Sequence, residues 1–488
     1  MKKIFKIFTN QYFWLLLIII GGLLVRLYKI DSPIADWHSW RQADTAAVTR
    51  NFIKDGFNPF FPHYDDMSGV AEKAIPNGNT YRFVEFPVYN IAVYPFYKIL
   101  GVNDMWHRLV SVLFSLGSTV FLFLILGKYL STQLKLLSAA IFTFLPFNVF
   151  FSRTTLPEPT LVFFCLGMIY FVNKAFEGKG FVLAGLFTVA AFLIKPYAFF
   201  FLLPCVYTAF CGGINAKKLL KYCAFLFICL LPFILWRLWI LQQPQGIPAS
   251  NWLFNGDGIR FRPAFWWWIV SERLGGEILG VTGFALLIFG AVIKPRFGNY
   301  FLHIWLFSMF LYTIVIATGN VRHNYYQILI VPILSVFVAK GFIDLMKGGN
   351  MFIPRLFIIF LAPILLILIF YFTWMPVKEL YKINNPPIIL AGKEADKILP
   401  KDAIVIAPYN GDTAFLYQIN RKGWAFVNSS IKDMIADFGI TSYVSVNKDD
   451  KTNWVKRHFT VFEETPQFII ADLTKPVANL DDPKDIEP

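Results

Sequence analysis

Along this chain the hydrophobic positions gather into long unbroken blocks. They show neither the strict alternation of a half-buried strand nor the narrow stripe of a surface helix. A block of roughly 17 to 25 apolar residues is long enough to carry an α-helix across about 30 Å of hydrocarbon at 1.5 Å per residue. About eleven such blocks are present, near 11–30, 104–127, 132–151, 157–173, 180–194, 196–211, 217–241, 279–294, 299–318, 324–346 and 352–374. The two that meet at Lys195-Pro196 read either as two short helices or as one long kinked helix. In the second case the topology beyond them inverts.

Between the blocks lie three polar stretches. The first, 31–103, holds helical patterns from Trp40 to Phe52 and from Pro87 to Leu100, separated by NPFFPHYDDMSG. These helices are amphipathic and aromatic, which predicts that they lie in a membrane interface rather than cross it. The second, 242–278, carries NGDGIRFRPAFWWWIVSERLGG. From Pro376 onward, short β-rich runs (Ala403 to Ala407, Thr441 to Val446, Gln467 to Leu473) alternate with helical patterns, one opened by the capping signal Ser430 to Asp433. The expected organisation is a transmembrane domain over 1–375, with 31–103 as its first large loop, followed by a small α/β domain over 376–488.

Composition makes the class firm. Hydrophobic residues are 56% of 488, charged residues 16%, and phenylalanine alone occurs 54 times, values that the surface of a soluble domain does not tolerate. The net charge of +14 does not point to nucleic acid, because the tail from Pro376 holds 14 Lys and Arg against 16 Asp and Glu. The basic excess lies wholly in the apolar part, as expected of cations that hold loops inside. All five cysteines, Cys165, Cys205, Cys211, Cys223 and Cys229, sit in or beside apolar runs, so neither a disulfide framework nor a cysteine metal site is implied. The basic start MKKIFKIF is followed by an apolar run with no small-residue cleavage site and reads as a retained first span.

The charges also orient the chain. With the amino end inside, the inner loops collect Lys2, Lys3, Lys6, Lys128, Lys135, Lys174, Lys179, Lys217, Lys218, Lys221, Lys294, Arg296, Lys347 and Arg355. Of the acids before Pro376, only Glu177 and Asp344 then fall inside, an asymmetry that favours two spans at Lys195 and an outer tail. The outer face gathers every unusual stretch, foremost DSPIADWHSWRQADTAAVTR over 31–50, with Asp36, His38, Arg41, Asp44 and Arg50 directly after the first span.

Three pieces carry a family resemblance: FPVYNIAVYPFYKILGVNDMWHRLVS, FFSRTTLPEPTLVFF and VRHNYYQILIVP. Together, in this order and after a first span with an acidic loop helix, they resemble the polytopic GT-C glycosyltransferases of family 39. That group includes the protein O-mannosyltransferases, the lipid A aminoarabinose transferase and bacterial relatives of unassigned acceptor. The resemblance implies a GT-C fold and inverting transfer of a sugar from a polyprenyl-phosphate carrier to a lipid, glycan or protein acceptor, outside a cytoplasmic membrane.

The chain departs from the family at the key position. The Asp-Glu pair that opens the catalytic helix in many members is Arg41-Gln42 here, and the family's Lys before the Pro-bearing helix falls in Glu85-Phe86-Pro87. The base therefore has to come from chemistry. Asp44, one turn beyond Arg41, is the first choice, followed by Asp36 and Glu85. Asp65 and Asp66 rank lower, as turn formers in a Pro/Gly-rich loop.

The departing phosphate needs cations, for which Arg153, Lys195, Arg322 with His323, Arg262 and Arg273 stand near the outer helix mouths. Arg41 and Glu158 are supporting candidates. Each has a plainer reading: Asp44 paired with Arg41, Glu158 capping its helix or paired with Arg153, Lys195 reaching for the interface, and Trp266 to Trp268 forming an aromatic belt. Six scattered histidines predict no His-based metal site, and a carboxylate-bound divalent ion has no support in the sequence. A nucleotide-binding glycine loop is also absent, which suits a lipid-linked donor. A polyprenyl-linked lipid flippase or transporter is the competing class, but it would place its ionisable residues at mid-membrane between related halves.

Overall fold

The structure is a computed structural model that describes residues 10–73, 75–213, 215–295, 299–347, 354–480 and Glu487. Lys2, Lys3, Lys6 and Arg296 of the expected inner loops lie outside the described residues. The chain divides into two compact units: 1–30, 107–239 and 250–381 form one, and 31–106, 240–249 and 382–488 form the other.

The first unit is helical. Four of its helices, Asp104–Leu126 (which begins in the second unit), Glu158–Phe176, Ala216–Ile240 and Leu356–Leu380, are individually long and apolar enough to cross a membrane. A fifth span results if Pro263–Ile278 and Gly280–Val292, bent by 112° to one another, count as one. Other apolar blocks form shorter or broken helices. Pro146 splits one block into Thr132–Phe144 and Pro146–Phe151. At Lys195-Pro196 the helix Phe181–Ile194 stops, Lys195 is extended (φ −156°), and the chain resumes as the 3-10 turn Pro196–Phe201 and the helix Leu202–Phe210. Proline forces this break because it disfavours helical backbone in the residue before it. Helices Gly280–Val292 and Val331–Lys347 cross backbone to backbone, since a Cβ on Gly290 would lie 2.0 Å from the Phe337 carbonyl oxygen and one on Gly341 2.1 Å from that of Leu286. Small residues permit this approach, which in a bundle surrounded by lipid supplies much of the helix association.

The second unit is built on a five-stranded sheet, β1 Ile404–Ile406, β2 Lys422–Trp424, β3 Ser442–Ser445, β4 Phe459–Glu464 and β5 Ile469–Pro476. Its order is β2-β1-β3-β5-β4, with β1 parallel to β2 and β3, and β5 antiparallel to β3 and β4. The expected strands around 403–407, 441–446 and 467–473 are present; β2, KGW, carries no comparable hydrophobic signal, and β4, FTVFEE, is a further strand. Gly423 is required where it stands, because a Cβ there would meet the Val405 carbonyl oxygen at 1.8 Å. Ser430 caps the helix Ile431–Phe438 by accepting from the Asp433 N–H at 3.0 Å, as its sequence signal predicts.

The first loop does not stand apart from this sheet. The Asp65 carbonyl accepts from the Gly423 N–H and the Met67 N–H donates to the Gly423 carbonyl, so the segment around Asp66 pairs alongside β2. The helix Ser39–Lys54 is buried along its whole length from Arg41 to Phe52. Ala43, Ala46 and Ala47 belong to one apolar cluster with Ala391, Ala395, Phe415 and Ile470 of the tail. The Trp40–Phe52 segment is thus enclosed by protein along most of its length. The chain helix Val88–Leu100 also starts here, and Asn90 donates to the Thr45 carbonyl and the Thr49 hydroxyl at 2.6 and 2.9 Å.

Candidate functional site

A helix buried on every side can carry Arg41, Gln42, Asp44, Thr45, Thr49, Arg50 and Asn51 only if most of their polar atoms are paired. Most are, the buried Arg50 Nε being an exception. Arg41 donates through Nη2 to both oxygens of Glu85, at 2.6 and 2.8 Å. Gln42 donates through Nε2 to Asp36 Oδ1 at 2.6 Å and to the Trp37 carbonyl at 2.9 Å. Asp44 accepts from the Thr413 hydroxyl at 2.6 Å and pairs with Arg82 at 2.7 Å. Arg50 binds Asp65 and the Tyr417 carbonyl and lies 4.0 Å from the centre of the Tyr417 ring.

Of the sequence candidates, Asp36, Arg41, Asp44 and Glu85 thus share one unit and one helix end. Arg41 has Glu85 as its partner and Asp44 has Arg82, in place of the Arg41–Asp44 pair that helical spacing allowed. Burial pushes the Asp44 carboxyl up from its ordinary value, opposed first by the Arg82 guanidinium and then by the Thr413 hydroxyl. Burial likewise raises Asp66 to about 6, against the Ser68 N–H and hydroxyl that bind it at 2.9 and 2.7 Å. Asp412, bonded to the Ser39 hydroxyl at 2.5 Å, is raised for the same reason. His38, the residue before this helix, has φ 56°, a left-handed backbone that non-glycine residues hold only where their surroundings impose it.

In the helical unit, Glu158 opens the helix Glu158–Phe176 and Lys195 ends Phe181–Ile194, so each charge suits the dipole of its own helix. The two form a buried ion pair. Lys195 Nζ also lies 4.9, 5.6 and 6.0 Å from the ring centres of Tyr326, Tyr197 and Tyr325. His323 stacks on Tyr325 at 5.5 Å, and both His323 and Arg322 meet Trp252, at 5.6 Å each. One residue on, Asn324 donates to Glu277 at 2.5 Å, and Glu277 is also held by Arg273 at 2.6 Å. Lys195, Glu158, Arg322, His323 and Arg273 therefore belong to one connected aromatic and ionic patch.

Two candidates stand apart from that patch. Arg153 donates to the Lys29 carbonyl at 2.7 Å and packs 4.7 Å from the Tyr381 ring centre, so its plainer reading as a partner of Glu158 does not hold. Arg262, exposed, donates to the Asp257 carbonyl at 2.6 Å. Among the described residues no three His, Cys, Asp or Glu side chains converge as a metal set.

Sequence reasoning missed Arg82, Thr413, Gln42, Asn324 and the buried acid Glu277 as members of these clusters. Arg82 and Thr413 join Asp44 across 38 and 369 positions of chain, and no local spacing signals such a partner.

Residues 86–239 match the family model described as dolichyl-phosphate-mannose-protein mannosyltransferase. Two of the three resemblance-bearing pieces lie within that span; the acidic loop and the VRHNYYQ segment lie outside it. In fold the chain is similar to ArnT from Cupriavidus metallidurans bound to undecaprenyl phosphate, with TM-score 0.59 and 12% identity over 94% of this chain and 98% of that one. The apo form of the same protein gives TM-score 0.63 and 11% identity over 94% and 97%. The apo oligosaccharyltransferase of Archaeoglobus fulgidus gives 0.56 and 12% over 96% of this chain and 76% of that one. No curated protein matches the chain by sequence. The resemblance read from the motifs is upheld: the chain has the fold of the GT-C glycosyltransferases.

Proposed function

We propose, on the premise of the GT-C fold, that this membrane protein transfers a sugar from a polyprenyl-phosphate carrier to an acceptor hydroxyl, with inversion, on the outer face of a cytoplasmic membrane. The observation that carries the reading is agreement in fold along 94% of the chain with a protein crystallised on undecaprenyl phosphate. About eleven crossings, with short and broken helices among them, and an outer position for the sheet-bearing unit complete the proposal.

In this reaction the acceptor O–H loses its proton to a carboxylate while its oxygen attacks the anomeric carbon. The bond from that carbon to the phosphate oxygen breaks, and the electron pair leaves with the lipid phosphate. We assign the base to Asp36. Asp36 stands in the loop that opens the buried helix, beside His38 with its left-handed backbone, and its Oδ1 accepts from the Gln42 amide. Asp44 then serves as an anchor that ties the loop helix to Arg82 and the tail residue Thr413. Lys195 is the phosphate holder, exchanging Glu158 for the arriving phosphate, with Arg322, His323 and Arg273 beside it.

The test follows loss of label from radiolabelled polyprenyl-phosphate hexoses in membranes holding the wild-type chain, Asp36→Asn or Lys195→Ala. Turnover that disappears in both variants supports the reading. Transbilayer movement of the lipid without transfer, in the wild type, favours the flippase instead.

A further inference from the structure

We propose that the helical unit holds the phosphoglycerol headgroup of an anionic phospholipid at the membrane edge remote from Glu158. A cavity of about 110 Å³ opens there, lined by Lys128, Asn173, Glu177, Cys205, Thr208 and Lys218 among others. Lys128 lies just past the helix Asp104–Leu126 and Glu177 just past Glu158–Phe176. Eighteen residues of helix separate Glu158 from this end, about 27 Å at 1.5 Å per residue. None of the cavity residues belongs to the clusters described above.

The lining has the chemistry of a phosphodiester site with hydroxyl donors. Glu177 is taken by Lys128, their charged atoms 2.5 Å apart. Among the described residues Lys218 has no carboxylate partner, so the cavity keeps a cation for an anion. The amide oxygen of Asn173 is buried there and, among the described residues, meets no donor. A phosphodiester group by itself has only acceptors to offer it. The glycerol hydroxyls of a phosphoglycerol headgroup can donate to Asn173 while the phosphate takes Lys218, which satisfies both groups.

The acyl chains have a surface to follow. Lys218 sits in the helix Ala216–Ile240, whose next residues Leu219 and Leu220 are 45% and 71% exposed. Apolar side chains that continue directly from a cation match a lipid with its headgroup at the interface and its chains along the helix.

The test uses the full chain in detergent, stripped of lipid, and titrates dioleoyl phosphatidylglycerol, dioleoyl phosphatidylcholine, phosphatidic acid and inorganic phosphate while binding is read by native mass spectrometry. Phosphatidylglycerol is expected to bind in preference to phosphatidylcholine. Lys218→Ala is expected to weaken it about fivefold, the weight of one cation near an anionic surface. Asn173→Leu is expected to weaken phosphatidylglycerol severalfold by removing the oxygen that accepts from the headgroup hydroxyls. Both variants lie near helix ends, and their melting without lipid is the control for folding. Equal binding of the two diacyl lipids, or unchanged binding in both variants, overturns the proposal. Competition by inorganic phosphate at the same concentration as the lipid overturns the lipid source and leaves a free-anion site.

Discussion

Replacing Asp44 by Asn separates an anchoring role from a chemical one. The Thr413 hydroxyl can still donate to the amide oxygen, but Arg82 loses its buried counter-charge. Side-chain exposure is 8% for Arg82 and 5% for Asp44, so water cannot replace the lost partner. Breaking such a pair on one side costs about 3 kcal/mol or somewhat more. In a folded unit of roughly 190 residues this lowers the melting temperature by about 6 to 12 °C. Asp36→Asn keeps an oxygen for Gln42, yet it removes the proposed base and about two to four orders of magnitude of turnover. Melting followed by intrinsic fluorescence, hydrogen exchange of peptides from 382–480 and transfer from labelled donor are measured on the same preparations. Asp44→Asn that melts like wild type while its turnover vanishes would refute the division of roles argued here and make Asp44 the base.

Three further outcomes are expected. With Asp66 held at about 6 in the folded unit against roughly 3.9 unfolded, the folded state binds the extra proton between these values, so stability falls as pH rises from about 4 to 6. Asp66→Asn should remove that slope and raise the melting temperature above pH 6, as read by thermal unfolding across pH. Lys195→Met should destabilise the helical unit by about 3 kcal/mol or more by stranding Glu158, and Lys195→Met with Glu158→Gln should recover most of that stability without recovering transfer, a coupling that a double-mutant cycle measures. Gly290→Ala places a Cβ 2.0 Å from the Phe337 carbonyl oxygen, so the two helices must separate; loss of about 2 kcal/mol or more and poor extraction as a monodisperse protein are expected, checked by size exclusion and melting.

What the sequence by itself determined follows from one-dimensional physics. Long apolar blocks mean membrane helices whatever they pack against, Lys195-Pro196 ends a helix because proline constrains its own neighbour, and Ser430 caps because its acceptor lies three residues from the N–H it needs. The motifs at 86–111, 150–164 and 321–332 also carried the GT-C resemblance, since they follow one another in order along the chain. Several features were decided only in the tertiary structure. The helix Ser39–Lys54 reads as interfacial by its own pattern but is enclosed, because its alanines meet tail residues more than 300 positions away. Strand β2 is three residues long, KGW, with no hydrophobic pattern of its own, and is placed by its pairing with β1. The candidate carboxylates were visible as residue types, but their partners were not. Asp44 meets Arg82 and Thr413 only because the fold brings segments 38 and 369 positions away within 3 Å of it.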